Sequence, residues 1–355
     1  MNVIAKEFTL VKPFKFVVKE RVIDQIPKGF VLLKPVVAGI CGSEILYFKG
    51  EKEEWKLKER LPLCLLHEGV AEVVETSEDV GIESGTYVVV NPMIPCGKCN
   101  ECVKIGENYC QNSKYMGSTA DGLARTYLLY PSSRIIPVPK GVELEVAALT
   151  EPLSIAVNAF ELSEARSEEK ISIIGDGPIG YMVTLIASHV GKVPKERLFM
   201  MGIIDEKLFL AEDFASTVNT ASERIEKFWG FFDVVFEAVG GRSHRFTIEE
   251  AINILKSGGR CIALGLSQGE ILVDFNKIVN KGLTIKGSVR SRMEHYRKVL
   301  NLLQNREFKE RVQRIISKKK FVIKTPEDLY EAFKYADTEE GEAKSKPGRV
   351  LVYLS

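Results

Sequence analysis

Over the first 150 residues the apolar positions fall in short β-branched runs cut by Gly, Pro and Asn: FVLLKPVVAGI, GVAEVVE and TYVVVNP. Runs of this kind, bounded by turn residues, predict strands, so the region reads as β-rich. From about residue 152 the rhythm changes. PLSIAVNAFELSEA is apolar at helical spacing, with Pro152 at the first helical position. KISIIGDGPIGYMVTLIASHVGK reads as a short buried strand, a glycine turn and a helix. Further apolar runs follow in ERLFMMGI, FDVVFEAVGG, GRCIALGL and GLTIKGSV, with helical stretches such as HRFTIEEAINILKSG between some of them. Strands alternating with helices predict a parallel sheet covered on both faces. The C-terminal stretch holds two helices, MEHYRKVLNLLQ and PEDLYEAFKYA, and a last strand, GRVLVYLS. Between the second helix and that strand, DTEEGEAKSKPG (337–348) reads as a polar, exposed loop.

A chain of 355 residues suits two domains. The change of rhythm assigns them to 1–151 with 291–355, and to 152–290. A 45% hydrophobic, 27% charged composition is that of an ordinary globular protein with a sizeable core. The formal net charge of +1 argues against nucleic acid or an anionic membrane as the main partner. The first residues, MNVIAKEFTLVKPFKF, show no apolar signal segment, and no run of apolar residues is long enough to span a membrane. The expected setting is cytoplasmic. Clustered cysteines there read as metal-binding or catalytic more readily than as disulfides.

Four of the seven cysteines lie in CGKCNECVKIGENYC, as Cys96, Cys99, Cys102 and Cys110. Two-residue gaps let thiolates converge on one tetrahedral ion, and four thiolates with no open position make a structural zinc site. A disulfide framework, free thiols and an iron–sulfur cluster are the alternatives. Cys64 and Cys261 sit in apolar runs and read as core.

Gly175, Gly177 and Gly180 form G-D-G-P-I-G, with Pro178 and Ile179 inside it. The motif follows a strand and opens a helix, the context that a dinucleotide fingerprint requires. Its glycines permit the tight turn and the approach of a pyrophosphate to the helix N-terminus. An NAD site usually adds an acid at the end of the second strand. Here that strand ends at Gly202 with no acid, and Asp205 follows three residues later. The missing acid removes repulsion of a 2′-phosphate, with Lys207 the nearest cation downstream, so NADP(H) is favoured over NAD(H). The alternative is that Asp205 binds the ribose of NAD.

Cys41, His67, Glu68 and Glu151 are one Cys, one His and two Glu, ligand types of a catalytic zinc with an open position. Neighbours in a strand point to opposite faces, so His67 and Glu68 ligate together only if the backbone turns there. Cys41, His67 and Glu151 therefore rank first, with Glu68 an alternating ligand or a partner behind the ligands. His189, His244 and His295 read as structural or solvated.

Together, CGSE, HEG, the four-cysteine lobe, TEP, GDGPIG, FEAVGG and GSVRS make the chain resemble the zinc-dependent medium-chain alcohol/polyol dehydrogenases, from about residue 30 to the C-terminus. LPLCLLHEGVAEVV, GDGPIGY, FEAVGGR, VNKGLTIKGSVRS and the TPEDLYEAF region bring it closer to the ribulose-5-phosphate reductases. Leu66 stands where most of the superfamily has Gly, and Glu44 where it has Asp. The resemblance implies an α/β chain: a GroES-like β-barrel catalytic domain plus a Rossmann doubly wound parallel sheet. It implies hydride transfer between NADP(H) and a sugar or polyol phosphate, with ribulose 5-phosphate giving ribitol 5-phosphate. Zinc bound by Cys41, His67 and a glutamate would polarise the substrate oxygen. Ser43 falls where a hydroxyl relays the alcohol proton, Glu44 where a carboxylate orients the site, and Tyr47 where polyol dehydrogenases line the substrate pocket. Arg349 resembles the position that reaches the cofactor pyrophosphate. Arg290 and Arg292 are candidates for a sugar phosphate, the 2′-phosphate or a neighbouring subunit. Ser43 as an ordinary turn hydroxyl, Tyr47 as a packed aromatic and Arg349 as a solvated strand-end charge are the plainer alternatives. A homodimer or homotetramer, built through an edge of the nucleotide-domain sheet, is implied. The competing functions are an NAD(P)-dependent zinc sugar or polyol dehydrogenase and a nucleotide-binding protein without catalysis.

Overall fold

The computed structural model describes residues 2–337 and 348–354, so most of the polar loop expected at 337–348 lies outside the described residues. These divide into two compact units, one of residues up to 151 with those from 292 onward, the other of residues 152–291.

The first unit is β-rich. Its seven-stranded sheet runs Ile135–Pro137, Tyr87–Val90, Glu68–Thr76, Phe30–Gly39, Arg349–Leu354, Ile316–Ile323, with Leu128–Pro131 also paired to Phe30–Gly39. A smaller sheet joins Lys15–Ile23, Val3–Lys12 and Leu63–Cys64. The register sets Glu68 opposite Gly39, and Leu351 on the other side of Gly39. The helix Pro326–Asp337 closes the core with Leu329, Ala332, Phe333 and Ala336, a three-and-four spacing that gives one apolar face. Phe333 packs 5.4 Å from both Phe16 and Phe48. The start of that helix is held reciprocally. Thr325 Oγ1 accepts from the Asp328 N–H at 3.2 Å, and Asp328 accepts from the Thr325 N–H at 2.8 Å.

Two helices in this unit, Gly42–Lys49 and Glu54–Arg60, interrupt what reads as β-rich sequence. The first is capped by Cys41, outside the usual set of capping residues. The second buries no residue, so it has no apolar stripe to reveal it. The helix Arg306–Gln313 and the strand Ile316–Ile323 are further elements beyond the sequence pattern.

In the second unit all strand pairings are parallel. The order is Ser216–Asn219, Leu198–Gly202, Ile171–Ile174, Phe232–Glu237, Leu255–Ala263, Thr284–Gly287. The chain thus winds outward in both directions from Ile171–Ile174, whose four residues are all buried. Ser216–Asn219 is too short and polar to show as an apolar run. The helix Thr150–Ser163 begins two residues before Pro152. Proline is tolerated there because a first-turn N–H has no intrahelical partner to lose. Cys64 and Cys261 are fully buried. No helix among the described residues is long and apolar enough to cross a membrane.

Candidate metal centre and nucleotide site

The first site is assembled at the start of the helix Gly42–Lys49. Glu44 is fully buried and its carboxylate reaches back to accept the Cys41 N–H at 3.3 Å. It also accepts the Leu66 N–H at 2.5 Å and lies 3.0 Å from His67 Nδ1. Leu66 itself has φ +74°, a left-handed conformation that non-glycine residues rarely adopt. The chain turns there, just before the strand Glu68–Thr76 begins. As a result Cys41, His67 and Glu68 each bring one ligand atom within 4.8 Å of the others, and His67 Nε2 is 3.9 Å from Glu68 Oε1.

Glu68, which the sequence places behind Glu151, is the carboxylate that joins this cluster. Strand alternation does not separate His67 from Glu68, because His67 lies at the turn and not in the strand. Glu151 instead borders the triplet, its Oε1 held by the Tyr115 hydroxyl at 2.9 Å. Burial, with the Glu68 charge adding to it against His67, pushes the Glu151 carboxyl up to about 7. Burial and the Glu151 charge keep the Tyr115 hydroxyl protonated, which makes it the donor. Nothing local in sequence signals this contact, since 36 positions separate the two residues.

The triplet fits a metal. Glu68 Oε1 is buried without a hydrogen-bond donor, an orphaned anion that a cation would satisfy. A thiol, an imidazole nitrogen and a carboxylate leave a fourth position free, the donor set of a catalytic zinc. Glu44 at Nδ1 leaves Nε2 as the ligating nitrogen. Burial disfavours an imidazolium at His67, but the charges of Glu44 and Cys41 outweigh it and hold a proton well above the ordinary histidine range. That proton is the one a bound metal replaces.

Tyr47 is 2% exposed and packs in the core, as its plainer reading has it, with its hydroxyl accepting from Arg60 at 2.6 Å. Its helix turns that face inward beside Phe48. Arg349 is buried at 2% exposure, with Nε 3.3 Å from Glu68 Oε2 and Nη1 donating to the Ile40 carbonyl at 3.1 Å. The guanidinium therefore faces Glu68. Ser43 Oγ donates to Cys41 Sγ at 3.3 Å.

Cys96, Cys99, Cys102 and Cys110 form a second cluster, also within 4.8 Å, and none is in a disulfide. Backbone N–H groups point at the sulfurs: Cys96 at Cys110 Sγ (3.3 Å), Cys99 at Cys96 Sγ (3.4 Å) and Cys102 at Cys99 Sγ (3.5 Å). The Lys98 and Cys99 N–H groups pull the Cys96 thiol down to about 6. Burial and the neighbouring sulfurs push the Cys99 and Cys102 thiols up, so the sulfurs share protons among themselves, and the four together fit a closed tetrahedral ion. Glu107 anchors the lobe through a two-pronged pair with Arg134, at 2.9 and 3.1 Å.

In the other unit the glycine turn lies at the end of the central strand, where the winding reverses. Gly175 has φ +131°. A Cβ at Gly180 would fall 2.0 Å from the Gly175 carbonyl oxygen, so only glycine lets the helix Pro178–His189 pack this close. Pro178 opens that helix, and Ile179 is half-buried. Past Gly202 the arrangement is new. Asp176, inside the fingerprint, accepts the N–H groups of Ile203 (2.8 Å) and Ile204 (3.0 Å) through Oδ2. A Cβ at Gly202 would meet Asp176 Cβ at 2.4 Å. Asp205 accepts from Asn219 at 2.6 Å, Lys207 is buried and Arg290 is half-buried with φ +51°. His244 and His295 are buried, His244 with Nε2 3.1 Å from Glu237 Oε2.

A doubly wound nucleotide unit and a β-rich unit bearing a thiol–imidazole–carboxylate triplet define a zinc-binding, nucleotide-dependent oxidoreductase. Residues 27–140 match the alcohol dehydrogenase GroES-like domain, and 178–305 match the zinc-binding dehydrogenase domain. Ribulose-5-phosphate reductase 1 of Staphylococcus aureus is 30% identical over 332 residues, 92% of this chain and 94% of that protein. L-threonine 3-dehydrogenase of Pyrococcus horikoshii is 32% identical over 295 residues, 79% of this chain and 82% of that one. The crystal structure of S. aureus TarJ in complex with NADPH has a TM-score of 0.81 at 26% identity, covering 99% of this chain and 100% of that one. The chain belongs to the zinc-binding alcohol dehydrogenase family.

Glu44→Gln is expected to weaken zinc at the triplet by about 10- to 100-fold, because the amide no longer holds the His67 tautomer. Chelator competition reads this, and unchanged affinity would show that Glu44 serves only as a helix cap. Cys99→Ser is expected to cost one of two zinc ions per chain, measured by elemental analysis, and to lower Tm. Full zinc content in that variant would refute the closed-lobe assignment.

Proposed function

We propose that the chain moves a hydride between NADP(H) and a sugar or polyol phosphate, with reduction of ribulose 5-phosphate to ribitol 5-phosphate as its reaction. The observation that carries this is near full-length similarity to a ribulose-5-phosphate reductase, joined to an intact ligand triplet. Cys41, His67 and Glu68 are the residues that hold zinc, with Glu151 at its border. Zinc, when bound, supplies a Lewis acid to the substrate oxygen. Glu44 fixes the imidazole, and Arg349 holds the second oxygen of Glu68. Ser43 passes the substrate proton, a role that its hydrogen bond to the Cys41 sulfur at 3.3 Å supports. Gly175, Gly177 and Gly180 admit the pyrophosphate to the start of the helix Pro178–His189.

For the cofactor, the absence of an acid at Gly202 and the NADPH complex of the similar S. aureus TarJ support NADP(H). One observation favours NAD(H): the Asp176 carboxylate sits over Gly202, close to where a ribose 2′-phosphate would bring negative charge. A non-catalytic nucleotide-binding role fits poorly with a complete ligand set. A cytoplasmic setting is part of the proposal. So is self-association through the sheet edge at Thr284–Gly287, where Ile285 is 39% exposed, in a unit that also exposes Leu272, Phe275 and Val279.

The test is the initial rate of NADPH and of NADH oxidation by zinc-loaded protein, with ribulose 5-phosphate and with ribulose. Turnover is expected with NADPH and the phosphorylated sugar. Turnover with ribulose alone, or with NADH alone, would leave a general polyol dehydrogenase. Ile285→Lys is expected to lower the solution mass measured by light scattering, and an unchanged mass would move the interface elsewhere.

A further inference from the structure

The stretch KGEKEEWKLKER, 49–60, has no part in the site as described. Within it Lys52, Lys56 and Arg60 recur every fourth residue. Lys56 and Arg60 are neighbours on the helix Glu54–Arg60, and Lys52 stands just before it. Like charges at this spacing repel and weaken a helix. Elsewhere on the same helix the charges are paired, Lys58 with Glu54 at 2.6 Å. Lys56 and Arg60 are held locally over the Trp55 ring, at 5.3 and 5.6 Å, so their positions are fixed despite the repulsion.

The three half-buried cations lie beside the metal triplet, within one unit. Arg60 Nη1 donates to the Tyr47 hydroxyl at 2.6 Å and to Ser118 Oγ at 2.8 Å. Tyr47 belongs to the helix that carries Ser43 and Glu44. Ser118 follows Gly117, where a Cβ would come 2.4 Å from Glu44 Oε1 and 3.3 Å from His67 Nδ1. Lys52 Nζ lies 5.3 Å from the Tyr47 ring. Burial and the charges of Lys56 and Arg60 pull the Lys52 ammonium below its ordinary value, against the pull of Cys41 and Glu53. Lys56 pairs with Glu53, but among the described residues neither Lys52 nor Arg60 has a carboxylate ion-pair partner. The two hydroxyls that hold Arg60 bring no negative charge.

Surplus positive charge, half-buried and fixed beside a centre that acts on a carbonyl or hydroxyl, calls for an anion carried on the substrate. We propose that Lys52, Lys56 and Arg60 form the subsite for the phosphate of a phosphorylated sugar or polyol substrate. This rests on the oxidoreductase reading above and gives its substrate preference a physical basis. It moves phosphate recognition away from Arg292, whose guanidinium pairs with Glu294 at 2.8 Å. The subsite lies in the unit that carries the metal triplet.

The experiment compares wild type with Lys52→Gln, Arg60→Gln and Arg60→Lys, each zinc-loaded and matched in Tm. The readout is the ratio of kcat/KM for ribulose 5-phosphate to that for ribulose. Loss of one charge-assisted contact is expected to lower the ratio by about 10- to 100-fold, mainly through KM for the phosphorylated sugar. Arg60→Lys should recover part of it, and inorganic phosphate should compete with the sugar phosphate only in proteins that keep the charge. Equal losses on both sugars, or a raised KM for the cofactor, would overturn the assignment. Should Arg60→Gln fail to fold, Lys52→Gln decides alone. If wild type reduces neither sugar, the proposed reaction fails but the subsite is still tested, by calorimetric titration of ribitol 5-phosphate and of inorganic phosphate. Saturable binding lost in Lys52→Gln supports the subsite, and absent or unchanged binding rejects it.

Discussion

One buried carboxylate organises the catalytic face of the β-rich unit. Glu44 has no exposed surface, and a charge so placed is costly unless every lone pair finds a partner. Its partners are the Cys41 N–H, the Leu66 N–H and the His67 ring. Those contacts start a helix, hold a left-handed turn and aim an imidazole. The triplet is therefore a consequence of how one anion is satisfied. The same logic extends outward: Glu68 is countered by Arg349, and Glu151 by the Tyr115 hydroxyl. These contacts leave the ligand atoms of Cys41, His67 and Glu68 facing one another.

The nucleotide unit obeys a steric constraint instead. Gly180 must lack a side chain because the helix start lies against the Gly175 carbonyl. Asp176 uses the space over Gly202 and ties the end of the second strand to the glycine turn. This loop is held by a carboxylate from within the fingerprint, where a search for an acid beyond the second strand would not find it. Asp205, the acid that such a search does find, is occupied by Asn219.

The residues that were legible carried local chemistry or a strong period. The four cysteines announced a converging cluster, the fingerprint announced its strand and helix, and Leu329, Ala332, Phe333 and Ala336 announced a one-sided helix. The rest was not legible, for particular reasons. Strand alternation does not apply to His67 and Glu68, because the chain turns at Leu66 just before the strand. The burial of Tyr47 and Arg349 cannot be read from a single position. The helix Glu54–Arg60 buries nothing and so leaves no apolar signal, while the cations Lys52, Lys56 and Arg60, in and just before it, are visible at every fourth residue.

The sequence by itself determined the class of chemistry: ligand types, their spacing where they are close in the chain, and the strand–turn–helix that takes a nucleotide. These are short-range properties, set by residue type and backbone period. Only the tertiary structure decided which distant groups meet. Leu66 at φ +74° is a strained conformation that survives because Glu44 takes its N–H and the surrounding core buries its side chain. That turn selects Glu68 as the third member of the triplet, and the packing of Tyr47 and Ser118 decides where Arg60 points. Long-range choices of this kind depend on burial and on the pairing of charges, which exist only once the chain has closed on itself.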